Sequence, residues 1–115
     1  MKALVFALLL TLTAAPALAE TIAAAEAKNH IGQNATVEGV VSEVHHVQSG
    51  RAILIDMGGH YPNNTFTAVI FKDDFNKFPN VDSLAGKTID VTGQIKEYRG
   101  RPEITVNDAE QIKVK

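Results

Sequence analysis

From Lys87 to Tyr98 the chain alternates closely enough to dictate its local structure. Ile89, Val91, Gly93 and Ile95 fall on one phase, and Thr88, Asp90, Thr92, Gln94 and Lys96 on the other. Side chains in a strand point to opposite faces with a period of two, so this stretch predicts a half-buried antiparallel strand with one face on a core. Such a strand needs neighbours, and the rest of the sequence supplies them. Val37, Val40, Val41, Val44 and Val47 form a long β-branched run whose internal Gly39 predicts a bend or bulge. Gln48-Ser49-Gly50 turns the chain into a second strand, Arg51 to Met57, and Gly58 to Asn64, dense in turn residues, separates it from a third, Thr65 to Phe71. Arg99-Gly100-Arg101-Pro102 makes the next turn, Glu103 to Val106 is a further strand, and Gln111 to Val114 extends or returns the edge.

Two helical pieces are expected between and before these strands. Thr21 can cap a short helix through about His30, because Ala23, Ala24, Ala25 and Ala27 favour helix and Gly32 supplies a stop. Asp73 can cap a second piece carrying Phe75 and Phe78 at i, i+3 before Pro79, with Leu84 as an apolar plug. The order is then helix, long bent strand, hairpin, short helix, two strands. This predicts an all-β fold, a five-stranded antiparallel OB barrel with a short helix between strands 3 and 4 and a short N-terminal helix. An SH3-like barrel is the alternative, but it would not normally place a helix at that point.

Residues 1–19 read differently. Lys2 is followed by an apolar run, Ala3 to Ala15, and Ala17-Leu18-Ala19 offers small residues where a signal peptidase cuts. The run is shorter than the ~20 residues that span a bilayer, so a cleaved secretory signal is expected, leaving one domain over 20–115. Export to the periplasm or beyond follows as an expectation. Losing Lys2 leaves 10 basic residues against 13 acidic ones, taking the formal charge from −2 to −3. No global basic field then attracts polyanions. Cysteine is absent, so neither a disulfide nor a thiolate is available.

Three segments resemble a known family. VEGVVSEV (Val37 to Val44), ILIDMGGHYPNNTFTAVIF (Ile53 to Phe71) and VTGQIKEYRGRPEITV (Val91 to Val106) are similar, in that order, to the first strand, central hairpin and last hairpin of small secreted bacterial OB-fold proteins. That group is nucleic-acid-binding-like, or tRNA-anticodon-binding-like. The resemblance implies ligand binding across strands 2 and 3, bordered by the loops between strands 1 and 2 and between strands 4 and 5. His45, His46, Arg51, Tyr61, Phe66, Lys96, Tyr98, Arg99 and Arg101 gather in that region, where aromatic rings can stack bases and cations can meet phosphates. Arg51, Tyr61, Phe66, Lys96, Tyr98, Arg99 and Arg101 are the candidate ligand-binding residues. Each has a structural alternative: Phe66 as core, Tyr98 as a cover for the barrel end, the arginines as solvated turn residues.

Other chemistries find less support. His45 and His46 are adjacent, so a regular strand points them to opposite faces; unless a bulge reorients them they do not chelate one ion, and surface histidines are the better reading. Asp73-Asp74 stands where a helix start favours acidic residues. No nucleophile and base occur in a recognised spacing, nor does a phosphate-binding glycine loop. The sequence therefore predicts a noncatalytic binding module without cofactor or metal. Its expected ligand is single-stranded nucleic acid or a nucleotide, weakly bound; the alternatives are a protein partner, as in an envelope-stress module, and an oligosaccharide.

Overall fold

The computed structural model describes residues 20–115, and the expected signal segment lies outside the described residues. The chain forms eight strands: β1 (Glu20–Ala23), β2 (Asn34–His46), β3 (Ala52–Met57), β4 (Phe66–Phe71), β5 (Thr88–Gln94), β6 (Lys96–Tyr98), β7 (Arg101–Thr105) and β8 (Ile112–Val114). They build one mixed sheet in the order β6-β7-β4-β3-β2-β5-β8, with β1 added beside β2. The fold is all-β, as the alternation requires, but it is not a closed five-stranded antiparallel barrel. Two pairings are parallel, β1 with β2 and β4 with β7.

The reason the ladder stays open lies at Ile95. Its N–H donates to Gln33 O at 2.9 Å and its carbonyl accepts from Gly32 N at 2.7 Å, so its backbone is spent on the segment before β2. The long strand expected from Lys87 to Tyr98 is thereby divided into β5, which pairs β2, and β6, which pairs β7. Between β5 and β7 the side chain of Gln111 stands in for the missing ladder. Its Nε2 donates to Thr92 O at 3.0 Å and Thr105 O at 3.1 Å, and its Oε1 accepts from Asn107 N and Asp108 N.

The long strand β2 serves both halves of the sheet. Its first half pairs β5 and its second half pairs β3, with a register shift between Val41 and Glu43. The bulge is therefore at Ser42 and not at Gly39. Gly39 answers a different need, because a Cβ there would sit 2.9 Å from Met57 Sδ and 3.3 Å from Ala24 Cβ. Ser42 Oγ lies within hydrogen-bond distance of both Asp56 O and Gly59 O, so one hydroxyl proton is shared between two carbonyls at the break.

Both expected helical pieces are present, but as short 3-10 helices, and the first begins later than expected. Glu20 to Ala23 runs as β1, with Ile22 opposite Val37, and only Ala24–Asn29 coils, as a 3-10 turn. A helix this short gains little on its own, whereas β1 satisfies backbone groups along β2 and buries Ile22. Between β4 and β5 the chain makes two 3-10 turns, Lys72–Lys77 and Val81–Leu84. Phe71, not Asp73, takes the N-cap position, and no side chain caps it. Leu84 is buried and Phe75 and Phe78 pack against the core from this side, as the apolar spacing implies. Among the described residues no helix is long and apolar enough to cross a membrane.

One core fills the interior. Ile89, Val91 and Ile95, the apolar phase of the alternating stretch, meet Val37, Val41, Ile53, Ile55, Met57, Phe66, Ala68, Ile70, Ile104 and Val106.

Candidate functional site

The other face of β3, β4 and β7 carries a cleft. Cross-strand register aligns Leu54 with Val69 and Asp56 with Thr67. Thr67 stands opposite Glu103 on β7, and Glu43 on β2 opposite Asp56. Ala52, Leu54, Val69 and Phe71 make an apolar floor in a cleft of about 420 Å³, and Tyr61, Tyr98, Arg51, Arg99, Arg101 and Glu103 stand among its walls. All three arginines and both tyrosines of the sequence converge there. Tyr61, Phe71 and Tyr98 are all exposed, an unfavourable state for large rings unless something covers them.

Each wall is positioned by identifiable bonds. Tyr98 and Arg101 are opposed in the β6–β7 hairpin, so Arg99 and Gly100 alone make the turn, with φ of 50° and 77°. A two-residue turn with both φ values positive matches the twist of its strands, which is why Gly is favoured; Arg99 holds the left-handed conformation at a steric cost. Its guanidinium lies 5.3 Å from the Tyr98 ring centroid. Tyr61 sits on the β3–β4 loop, stacked on His45 at 5.3 Å with the ring planes 7° apart. Arg101 secures that loop by donating Nη1 to Pro62 O at 2.6 Å and Asn64 Oδ1 at 3.1 Å.

Beneath the loop lies a buried polar network. Asn64 Nδ2 donates to Asp56 Oδ1 at 3.2 Å and Thr67 Oγ1 donates to the same oxygen at 3.0 Å, while Asp56 Oδ2 is buried without a partner. Burial pushes the Asp56 carboxyl above its ordinary value, and the Thr67 hydrogen bond opposes this. Burial also raises the Glu103 carboxyl, against the pull of Arg101 and Lys96.

The structure brings together Arg51, Tyr61, Tyr98, Arg99 and Arg101 from the set expected by sequence. Phe66 must be removed from it: the ring is fully buried in the core and cannot touch a ligand. Lys96 is exposed across the β6–β7 ladder from Glu103 and borders the cleft without lining it. Phe71, Leu54, Val69 and Glu103 were not among the expected residues. The sequence carries a signal for Phe71, because it stands five positions after Phe66, and an odd offset in a strand puts one ring inside and the other outside.

The histidines diverge. His45 turns towards Tyr61 and Glu43, while His46 Nε2 meets Asp82 Oδ1 at 2.6 Å beyond the cleft. His60 Nδ1 meets Glu43 Oε2 at 2.9 Å. Among the described residues no group of three His, Asp or Glu side chains converges on a point that could hold a metal.

No protein-family model matches the chain, and no curated protein matches it. Solved structures do. The OBody AM1L10, solved bound to hen egg-white lysozyme, superposes with a TM-score of 0.61 at 17% identity, over 84% of this chain and 93% of that one. An aspartyl-tRNA synthetase from Leishmania major Friedlin superposes with a TM-score of 0.56 at 10% identity, over 90% of this chain; the match spans only 22% of the synthetase chain. These likenesses are of fold.

Proposed function

We propose that this chain is a noncatalytic binding module of the OB type, exported to the periplasm or beyond, which holds short single-stranded nucleic acid or a nucleotide in the cleft on β3, β4 and β7. The observation that carries this reading is the convergence of every arginine and every tyrosine of the sequence on one cleft, together with exposed Phe71. Planar guanidinium groups grip phosphate oxygens in pairs, and rings give sequence-tolerant stacking platforms worth ~1–3 kcal/mol per base. Among the described residues the lysines lie outside the lining, so the cations that line the cleft are all arginine. A fold shared with part of an aspartyl-tRNA synthetase supports the same ligand class. The acidic net charge means that affinity must come from this local cluster, so binding is weak and strongly salt-dependent.

Fluorescence anisotropy with a labelled single strand, across a salt series, tests this. Binding at low salt that weakens as salt rises, and that fails when Tyr98 and Phe71 are both replaced by Ala, is the expected result. No binding at low ionic strength rejects it.

A protein partner is the second reading, favoured by one observation. The OBody of similar fold is bound to lysozyme, and here Glu43 and Glu103 stand at the two ends of one cross-strand row, with Asp56 buried between them. Such a surface would suit a basic protein.

A further inference from the structure

Glu103 is at odds with the rest of the cleft. It is a half-buried carboxylate in the cleft wall, pulled on by Arg101 and by Lys96 across the ladder, yet among the described residues no hydrogen bond or ion pair engages it. Arg101 is committed to the β3–β4 loop through Pro62 O and Asn64 Oδ1, and Arg99 lies over Tyr98. A carboxylate taken partly out of water and left unpaired is unfavourable, and burial raises its carboxyl accordingly. Its register opposite Thr67 sets it on the cleft face of β7, beside the apolar floor where a ring would lie. What it lacks is a donor, and a ligand can bring one.

We propose that Glu103 makes the cleft select guanine, its two carboxylate oxygens accepting the N1–H and N2–H groups of the guanine edge while an aromatic wall stacks the ring and an arginine meets the phosphate. The inference rests on reading the cleft as a base-binding site. The choice of base follows from the pattern of donors. An ionised carboxylate is acceptor-only, and guanine alone of the common bases offers two adjacent N–H donors on its Watson–Crick edge. Adenine and cytosine place an amino donor beside a ring-nitrogen acceptor, which a carboxylate repels. Uracil and thymine place one N–H between two carbonyls. The paired, charge-assisted geometry is the strong form of hydrogen bond.

Calorimetric titration of the purified protein with GMP, AMP, CMP and UMP at low salt tests the assignment. GMP should bind roughly tenfold more tightly than the others, the scale of one good bidentate contact. Glu103→Gln presents one acceptor and one donor, so it should lose the preference for GMP and favour AMP and CMP, with UMP little changed. Because the Glu103 carboxylate makes no hydrogen bond or ion pair among the described residues, this variant should melt no lower than wild type. Wild-type protein gives the same readout without mutation: acidification that protonates Glu103 turns it into a donor and acceptor, and GMP should lose ground to AMP. Binding of all four nucleotides within about twofold of one another, or a Glu103→Gln variant that still prefers GMP, overturns the inference while leaving base binding intact. Failure to bind any of the four overturns both.

Discussion

The Arg101 guanidinium lies over the Tyr61 ring, 5.0 Å from its centroid, so the residue that ends the β6–β7 turn also holds the tip of the β3–β4 loop. The same side chain donates to Pro62 O and Asn64 Oδ1, which links it through Asn64 to buried Asp56. Two arginines separated by one glycine therefore have different duties. Arg101 ties two walls of the cleft together, and Arg99 projects from a turn over Tyr98.

Replacing each by Ala should separate those duties. Arg101→Ala should lower the melting temperature by an amount matching ~1–3 kcal/mol, since Asn64 loses a buried partner and Tyr61 loses its cation. Arg99→Ala should leave melting nearly unchanged and reduce the salt slope of oligonucleotide binding by about one. Thermal denaturation alongside anisotropy measures both. Equal melting temperatures for the two variants would contradict the division.

The two phenylalanines of β4 should behave as opposites. Phe66 is fully buried beside Met57 on β3, so Phe66→Ala should cost ~3–5 kcal/mol of stability. Phe71 is 49% exposed at the cleft, so Phe71→Ala should cost little stability and weaken nucleotide binding by ~1–3 kcal/mol. Denaturant titration of the two variants, with anisotropy on the folded one, is the check. A Phe71→Ala variant with unchanged affinity would remove that ring from the site.

This pair also marks what the sequence could tell. Alternation gave the buried phase of Ile89, Val91 and Ile95, because period two is a property of the backbone and needs no knowledge of the partner strand. The same rule sets Phe66 and Phe71, five positions apart, on opposite faces, but it does not say which of the two faces the core. The helix expected from Thr21 begins only at Ala24, for another reason. Alanine propensity is a few tenths of a kcal/mol per residue, and the free backbone edge of β2, invisible in the local sequence, outweighs it. The open ladder at Ile95 was beyond reach too, since it depends on Gly32 and Gln33, more than sixty residues away in the chain. In the sequence Glu103 is only part of a strand, because an unpaired carboxylate is recognisable only once its surroundings are known.

Gln111 offers a test of how the open sheet is held. Its amide donates to Thr92 O and Thr105 O and accepts from Asn107 N and Asp108 N, using both ends of one side chain. Gln111→Glu keeps the size but sets a carboxylate oxygen against two carbonyl oxygens. It should destabilise by about 1–3 kcal/mol at neutral pH. Part of that loss should return on acidification, when the new carboxyl gains a proton and can donate. Melting curves at neutral and acidic pH measure this, and a Gln111→Glu variant as stable as wild type at neutral pH would show that the two edges hold without the bridge.

The buried Asp56 sets a pH dependence of defined sign. Burial raises its carboxyl from the ordinary 3.8, so in the acidic range above that value the folded chain holds a proton that the unfolded chain has released. Proton linkage then makes the contribution of Asp56 to stability complete below about 3.8 and progressively lost as pH rises through the raised folded value. Glu103, raised for the same reason, adds in the same direction, whereas Glu38, held down by its contacts with Lys115, gains stability as pH rises. The whole-protein profile therefore mixes signs, and a difference between variants isolates one group. Asp56→Asn keeps an oxygen to accept from Thr67 and Asn64 but carries no charge at any pH. Relative to wild type it should gain stability as pH rises from acid to neutral, with the change concentrated in the window above the ordinary carboxylate value. Denaturation of both proteins in a pH series gives the difference directly. Parallel profiles would mean that Asp56 titrates normally and that its unpartnered Oδ2 is not cut off from water.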